Sequence, residues 1–136
     1  MARIVLTNAY VTVNSVDVSD HVASVTLNSS IDVVETTAFS TTAARTRIGG
    51  LADNSITLEF HQDYATSSIE ATIYPLLGTT TSVVVKPNGS TTSSTNPSYT
   101  ATVLVSEWTP LNGAVGELAS ASVTWPVSGA ITKATA

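Results

Sequence analysis

"RTRIGGLADNSITLEFHQD", residues 45–63, reads in two halves. From Ser55 to Gln62 apolar and polar residues alternate: Ile56, Leu58 and Phe60 hold one parity, Thr57, Glu59 and His61 the other. Successive side chains of a strand point to opposite faces, so this period of two describes a strand with one dry and one wet face. The first half has no such rhythm. It carries Arg45 and Arg47, two of the five basic residues of the chain, and the pair Gly49 and Gly50. Glycine supplies the backbone freedom needed to turn from a loop into the strand at Ser55.

The same alternation recurs along most of the chain, which predicts a mainly β protein. Strands are expected over residues 3–6, 9–13, 16–18, 22–28, 31–35, 55–62, 81–86, 99–107 and 117–127, with a short one near 130–133. In "ELASASVTW", residues 117–125, Ala119, Ala121, Val123 and Trp125 oppose Ser120, Ser122 and Thr124. One stretch departs from period two. In "YATSSIEATIYPLLG", residues 64–78, Ile69, Ile73, Leu76 and Leu77 recur at helical spacing. Thr66, Ser67 or Ser68 suits the N-cap, Glu70 sits in the first turn, and Gly78 suits the C′ position. Pro75 lacks an N–H, so the predicted helix is short and distorted or ended there. The expected core joins Ile56, Leu58 and Phe60 to Ile69, Ile73 and Leu77 of that helix and to Val103 or Leu104.

A chain of 136 residues is expected to form a single domain. Two long loops interrupt it: an arm over residues 36–53, and a polar, low-complexity segment over 87–98 expected to be flexible. The arm holds Phe39 with Arg45 and Arg47, and exposed aromatic and arginine side chains are the usual anchors of protein interfaces. Asp17, Asp20, Asp32 and Glu35 are candidate acids for the two arginines. Composition points the same way. Charged residues make up 11% of the chain against a typical quarter or so, and interfaces are depleted in Lys and Glu. The net charge of −5 argues against a basic grip on nucleic acid.

Catalytic signatures are missing from the pattern. With no cysteine, disulfides, thiolate metal sites and a Cys nucleophile are excluded. His21 and His61 lack metal-ligand spacing, so no metal site is expected. No G-x-S-x-G elbow occurs, and the acids are scattered singly. Gly113 and Gly116 precede a strand instead of a helix, so they suit a turn and not a phosphate cradle. No cofactor and no enzymatic activity are expected. Neither a signal peptide nor a membrane-spanning apolar run is found, so no membrane partner is expected.

Three stretches carry a resemblance: "RTRIGGLADNSITLEFHQDY" (45–64), "ATIYPLLGTT" (71–80) and "VSEWTPLNGAVGELASASVTWPVSG" (105–129). In this order and wording the chain resembles, over roughly residues 18–133, the major tail (tail tube) proteins of long-tailed, siphovirus-like phages, especially those of actinobacterial hosts. The resemblance implies a β-sandwich or barrel-like tail tube fold with one short flanking helix and a long inter-subunit loop. It implies a structural virion protein, assembled in the host cytoplasm, whose copies close into hexameric rings and stack. The tape measure protein and then DNA would occupy the lumen, the DNA without specific binding, and tail terminator and tip proteins would be further partners. Under it Thr57, Glu59, Ser120 and Ser122 are candidates for the lumen wall, and Arg3, Lys86 and Lys133 should not ring the channel. Phe39, Arg45, Arg47, Gly49 and Gly50 are candidates for the inter-subunit arm. Related tube folds serve contractile tails and secretion systems. An Ig-like binding or decoration module is the alternative of another class; it should cluster its aromatics in a concave site.

Overall fold

The alternating stretch is the second half of a 15-residue strand. In the computed structural model, which describes residues 3–39 and 42–136, β4 spans Arg47–His61. It pairs antiparallel with β3 (Val22–Glu35) on one side and β7 (Ser120–Pro126) on the other, giving a three-stranded sheet. The second sheet has five strands in the order β2 (Val16–Asp17), β1 (Tyr10–Val13), β5 (Thr80–Lys86), β6 (Ser98–Leu104), β8 (Thr132–Ala134). β1 and β2 are joined by Asn14 and Ser15, with φ of 52° and 65°. Two positive φ values in a two-residue loop match the primed turns whose twist suits a hairpin. The protein is thus a mainly β sandwich with one short helix.

The dry faces of the two sheets meet in one core. Ile56, Leu58 and Phe60 of β4 are buried with Ala121, Val123 and Trp125 of β7, and with Val11, Val13, Val83 and Val103 of the other sheet. The Phe60 ring lies edge-on to Trp108, centroids 5.6 Å apart, and 6.3 Å from Trp125. Buried indoles need a partner for their N–H. Trp125 Nε1 donates to the Glu107 carbonyl at 2.9 Å, and Trp108 Nε1 donates to Glu70 Oε2 at 2.7 Å.

The helix is shorter than the spacing predicts. α1 (Ile69–Ile73) makes little more than one turn and passes into a 3₁₀ turn over Tyr74–Leu76 that contains Pro75. Ile69 and Ile73 are buried, but Leu77, which α-helical spacing assigns to the core, is 43% exposed. The tighter 3₁₀ winding turns the inward position to Leu76, which packs against the core, and leaves Leu77 outside. Of the two candidates on β6, Val103 is buried and Leu104 points outward.

Several strand bounds differ from the pattern. Residues 3–9 are not in a strand, the predicted strands 22–28 and 31–35 are one, β6 stops at Leu104, and β7 begins at Ser120. The polar 87–98 segment is gathered around one buried side chain. Asn96 is buried, and its Nδ2 donates to the carbonyls of Ser90 (2.9 Å), Asn88 (3.3 Å) and Thr91 (3.4 Å), while its Oδ1 accepts the Asn88 N–H. One side-chain amide therefore supplies the partners that the loop backbone lacks.

Candidate assembly surfaces

The arm of residues 36–53 is a loop only in its first part. β4 begins at Arg47 and pairs with β3 as far as Glu35, so the connection is confined to residues 36–46 and closed by the Thr36 N–H on the Thr46 carbonyl at 2.8 Å. Ser40 and Thr41 of the predicted arm lie outside the described residues. Every described residue from 28 to 53 is exposed, while Asn54 is buried. The hairpin therefore leaves the sandwich at Asn54 and continues as a bare two-stranded ribbon. From the Asn28–Ser55 pair to the Glu35–Arg47 pair it runs seven residues, roughly 23 Å at the rise of a strand.

The glycines have a steric reason to be there. Between the pairs Ile31–Ala52 and Val33–Gly49, β3 advances two residues and β4 three, a bulge in β4. A Cβ on Gly50 would lie 2.9 Å from Val34 Cγ2 and 3.3 Å from Asp32 Cβ, and one on Gly49 would lie 3.2 Å from Ile31 Cγ2. Gly49 and Gly50 thus sit inside the strand beneath neighbouring side chains, and neither has a positive φ. The expectation that they turn the chain from loop to strand is corrected accordingly.

The ribbon is apolar without a core. Ile31, Val33, Val34, Ile48 and Leu51 are 45–80% exposed, and Phe39 at the tip is fully exposed. Isolated two-stranded hairpins are marginal in water, and a bare apolar edge invites pairing. Arg45 Nη1 pairs with Glu35 Oε1 at 2.7 Å, so one candidate acid is met within the same hairpin, in a solvent-exposed pair. Arg47 makes no ion pair among the described residues.

The wet face of the three-stranded sheet gathers the four predicted wall residues. The β4–β7 register sets Glu59 opposite Ser122, Thr57 opposite Thr124 and His61 opposite Ser120, and the Thr57 and Thr124 hydroxyls lie 3.1 Å apart. β3 adds Ser24 beside Glu59 and Thr26 beside Thr57. Among the described residues, the strands of this sheet carry no Lys or Arg within the sandwich. Lys86 lies over the Tyr10 ring at 4.5 Å, and Lys133 lies 6.0 Å from the Tyr99 centroid, both on the other sheet.

The end of β4 away from the hairpin is organised by polar contacts that sequence spacing did not reveal. His21, just before β3, is held between Asp20 (Nδ1–Oδ1 2.9 Å) and Asp63 (Nε2–Oδ2 2.9 Å). These contacts raise its pKa above 6.5, the Asp20 hydrogen bond foremost. Asp63 is held below 3.8, first by the Ala65 N–H, then by the Ser68 hydroxyl, with His21 contributing. Beyond it the loop before β7 exposes Leu111, Val115 and Leu118. Among the described residues no group of three or more His, Asp or Glu is placed to hold a metal ion, and no helix is long and apolar enough to cross a membrane.

Two clefts flank the start of β3. One, of about 770 Å³, lies against residues 6–9 and 22–25 and includes Asp17 and Asp20. The other, of about 310 Å³, is lined by Leu6, Ala9, Val25, Leu27, Val85, Lys86, Pro87 and Tyr99.

No protein-family model matches the chain, and no curated protein matches it. Solved structures do share its fold. A chain from the virion of a native gene transfer agent (GTA) particle superposes with a TM-score of 0.74 at 12% identity, covering 94% of this chain and 96% of that one. A chain from an extracellular contractile injection system, PVC, whose structure shows the sheath/tube terminator in the extended state, gives 0.73 at 12% identity and covers 99% of both. A chain from the six-fold symmetrised anti-feeding prophage (AFP) baseplate gives 0.58 at 8% identity, covering 99% and 98%. The two-sheet fold with its single short helix is therefore one that occurs in parts of assembled virion and injection-system particles.

Proposed function

We propose that this chain is a structural subunit of a phage tail tube, without enzymatic activity. Copies close into rings of six, rings stack, and the wet face of the β3–β4–β7 sheet walls the lumen. The observation that carries this reading is the hairpin: an apolar ribbon that leaves its own core is stable only against another molecule. The fold shared with chains of virion and injection-system particles supports the same reading, and the sequence resemblance favours long-tailed phages of the actinobacterial type. Ring closure would also pair the open edges of β3 and β7. DNA passes such a wall without specific binding, because no fixed cation stands on it to displace counterions. The tape measure, terminator and tip proteins are the expected partners in a virion tail.

A second reading, a tube subunit of a contractile tail or injection system, is favoured by the contractile-system neighbours. Electron microscopy of the purified protein tests the shared core of both readings. Rings or tubes with a central channel are expected; compact monomers at high concentration would overturn it. Co-purification with a sheath protein from the same locus would select the contractile reading.

A further inference from the structure

The hairpin tip needs a receptor, and the two clefts beside β3 have its chemistry. They share Leu6, Ala9 and Val25, so they form one continuous depression with two characters. One half is mainly apolar, floored by Leu27, Val85 and Tyr99, with Lys86 also in its lining. The other bears Asp17 and Asp20. Asp17 Oδ1 accepts the Ser19 N–H and hydroxyl, and Asp20 Oδ1 meets His21. The second oxygen of each carboxylate has no partner among the described residues. The end of the hairpin carries the matching set: Phe39 in the connection, fully exposed, and Arg47 at the start of β4, exposed and without an ion pair among the described residues.

A chain cannot fill its own depression. Val25 beside the cleft and Glu35 at the far end of the ribbon are ten residues apart on one strand, roughly 33 Å. We propose that the depression receives the hairpin tip of a second copy of this chain, Phe39 entering the apolar half and Arg47 pairing with Asp17 or Asp20. This rests on the subunit reading above and names the surface it requires. A tip meeting a different surface on the next copy is a heterologous contact, which generates rings or open stacks and not closed dimers.

Because the chain has no cysteine, pairs of introduced cysteines report contacts cleanly. Phe39→Cys combined with Leu6→Cys, treated with a short bismaleimide after assembly, should give a ladder of covalent multimers. Each single variant should stop at dimers. Phe39→Cys with Val115→Cys probes the exposed loop at the opposite end of β4 and should give no ladder. Phe39→Ala touches no packed side chain, so its monomer should keep the parent circular dichroism while its critical concentration for assembly rises at least about tenfold. A ladder from the Val115 pair and none from the Leu6 pair, with normal tubes, would overturn this docking site and leave the subunit reading intact. Parent protein that never assembles would remove both.

Discussion

Phe60 is where the fold is decided at the scale of a single residue. It is fully buried and contacts both indoles. Truncating it leaves a void between sheets that cannot close without moving Trp108 and Trp125. Phe60→Ala should therefore cost about 3–5 kcal/mol, read as a shift of the denaturant midpoint at constant m-value. A shift worth less than about 1 kcal/mol would show that the sheets collapse onto the site. Phe60 was legible because its strand is half buried, and burial of one face imposes period two. Trp108 was not. It lies in the irregular segment after β6, where no period exists, and the only signal was a rare aromatic in a chain with 6% of them.

Among the elements, the hairpin and the helix show why parts of the pattern misled. The root of β4 alternates because the core reads it; the ribbon beyond Asn54 has no core, so "RIGGLAD" carries no alternation and looks like a loop. The glycine pair reinforced that impression, although its cause is the close approach of β3. Gly50→Val should destabilise the ribbon and not the sandwich. Amide exchange in residues 47–53 should rise while that of 55–60 stays protected; uniform protection across β4 would refute the steric account. Leu77 was misplaced for a related reason: the i, i+4 rule from Ile69 and Ile73 fails once Pro75 forces a 3₁₀ turn.

The His21 clamp ties the turn before β3 to the segment between β4 and α1, and among the described residues the charged groups facing it are Asp20 and Asp63. Its pKa is raised, so its contribution is fully present below 6.5 and lost as pH rises through the higher folded value. Asp63, with its pKa lowered, contributes above 3.8 and loses its part as pH falls through the lower folded value. His21→Gln should thus lose more stability relative to the parent at about pH 5 than at about pH 8. Equal losses at both would show that the imidazole acts by shape alone.

For the molecule as a whole, what matters is how charge is distributed between its surfaces. The wet sheet face was legible as alternation within each strand. That β4 and β7 lie side by side, joining Glu59 to Ser122, 63 positions further along the chain, was not, because pairing over such distances leaves no local trace. The consequence concerns passage. As the proposed lumen wall, this face of hydroxyls with Glu59 and His61 offers a polyanion no Lys or Arg to hold, and Glu59 sits on its central strand. In a closed ring, Glu59→Lys would place one cation per subunit around the channel and replace a repelling charge by a gripping one. Each phosphate neutralised adds about 0.9 to the slope of log affinity against log salt, so the change should be visible as salt-sensitive retention. Parent tubes should release double-stranded DNA fragments at low ionic strength in a filter or sedimentation assay, and Glu59→Lys tubes should retain them until salt is raised. Glu59 is exposed, so the variant should fold and assemble like the parent. Parent tubes that bind DNA with a steep salt slope, or variant tubes that bind no better, would place the lumen on another face.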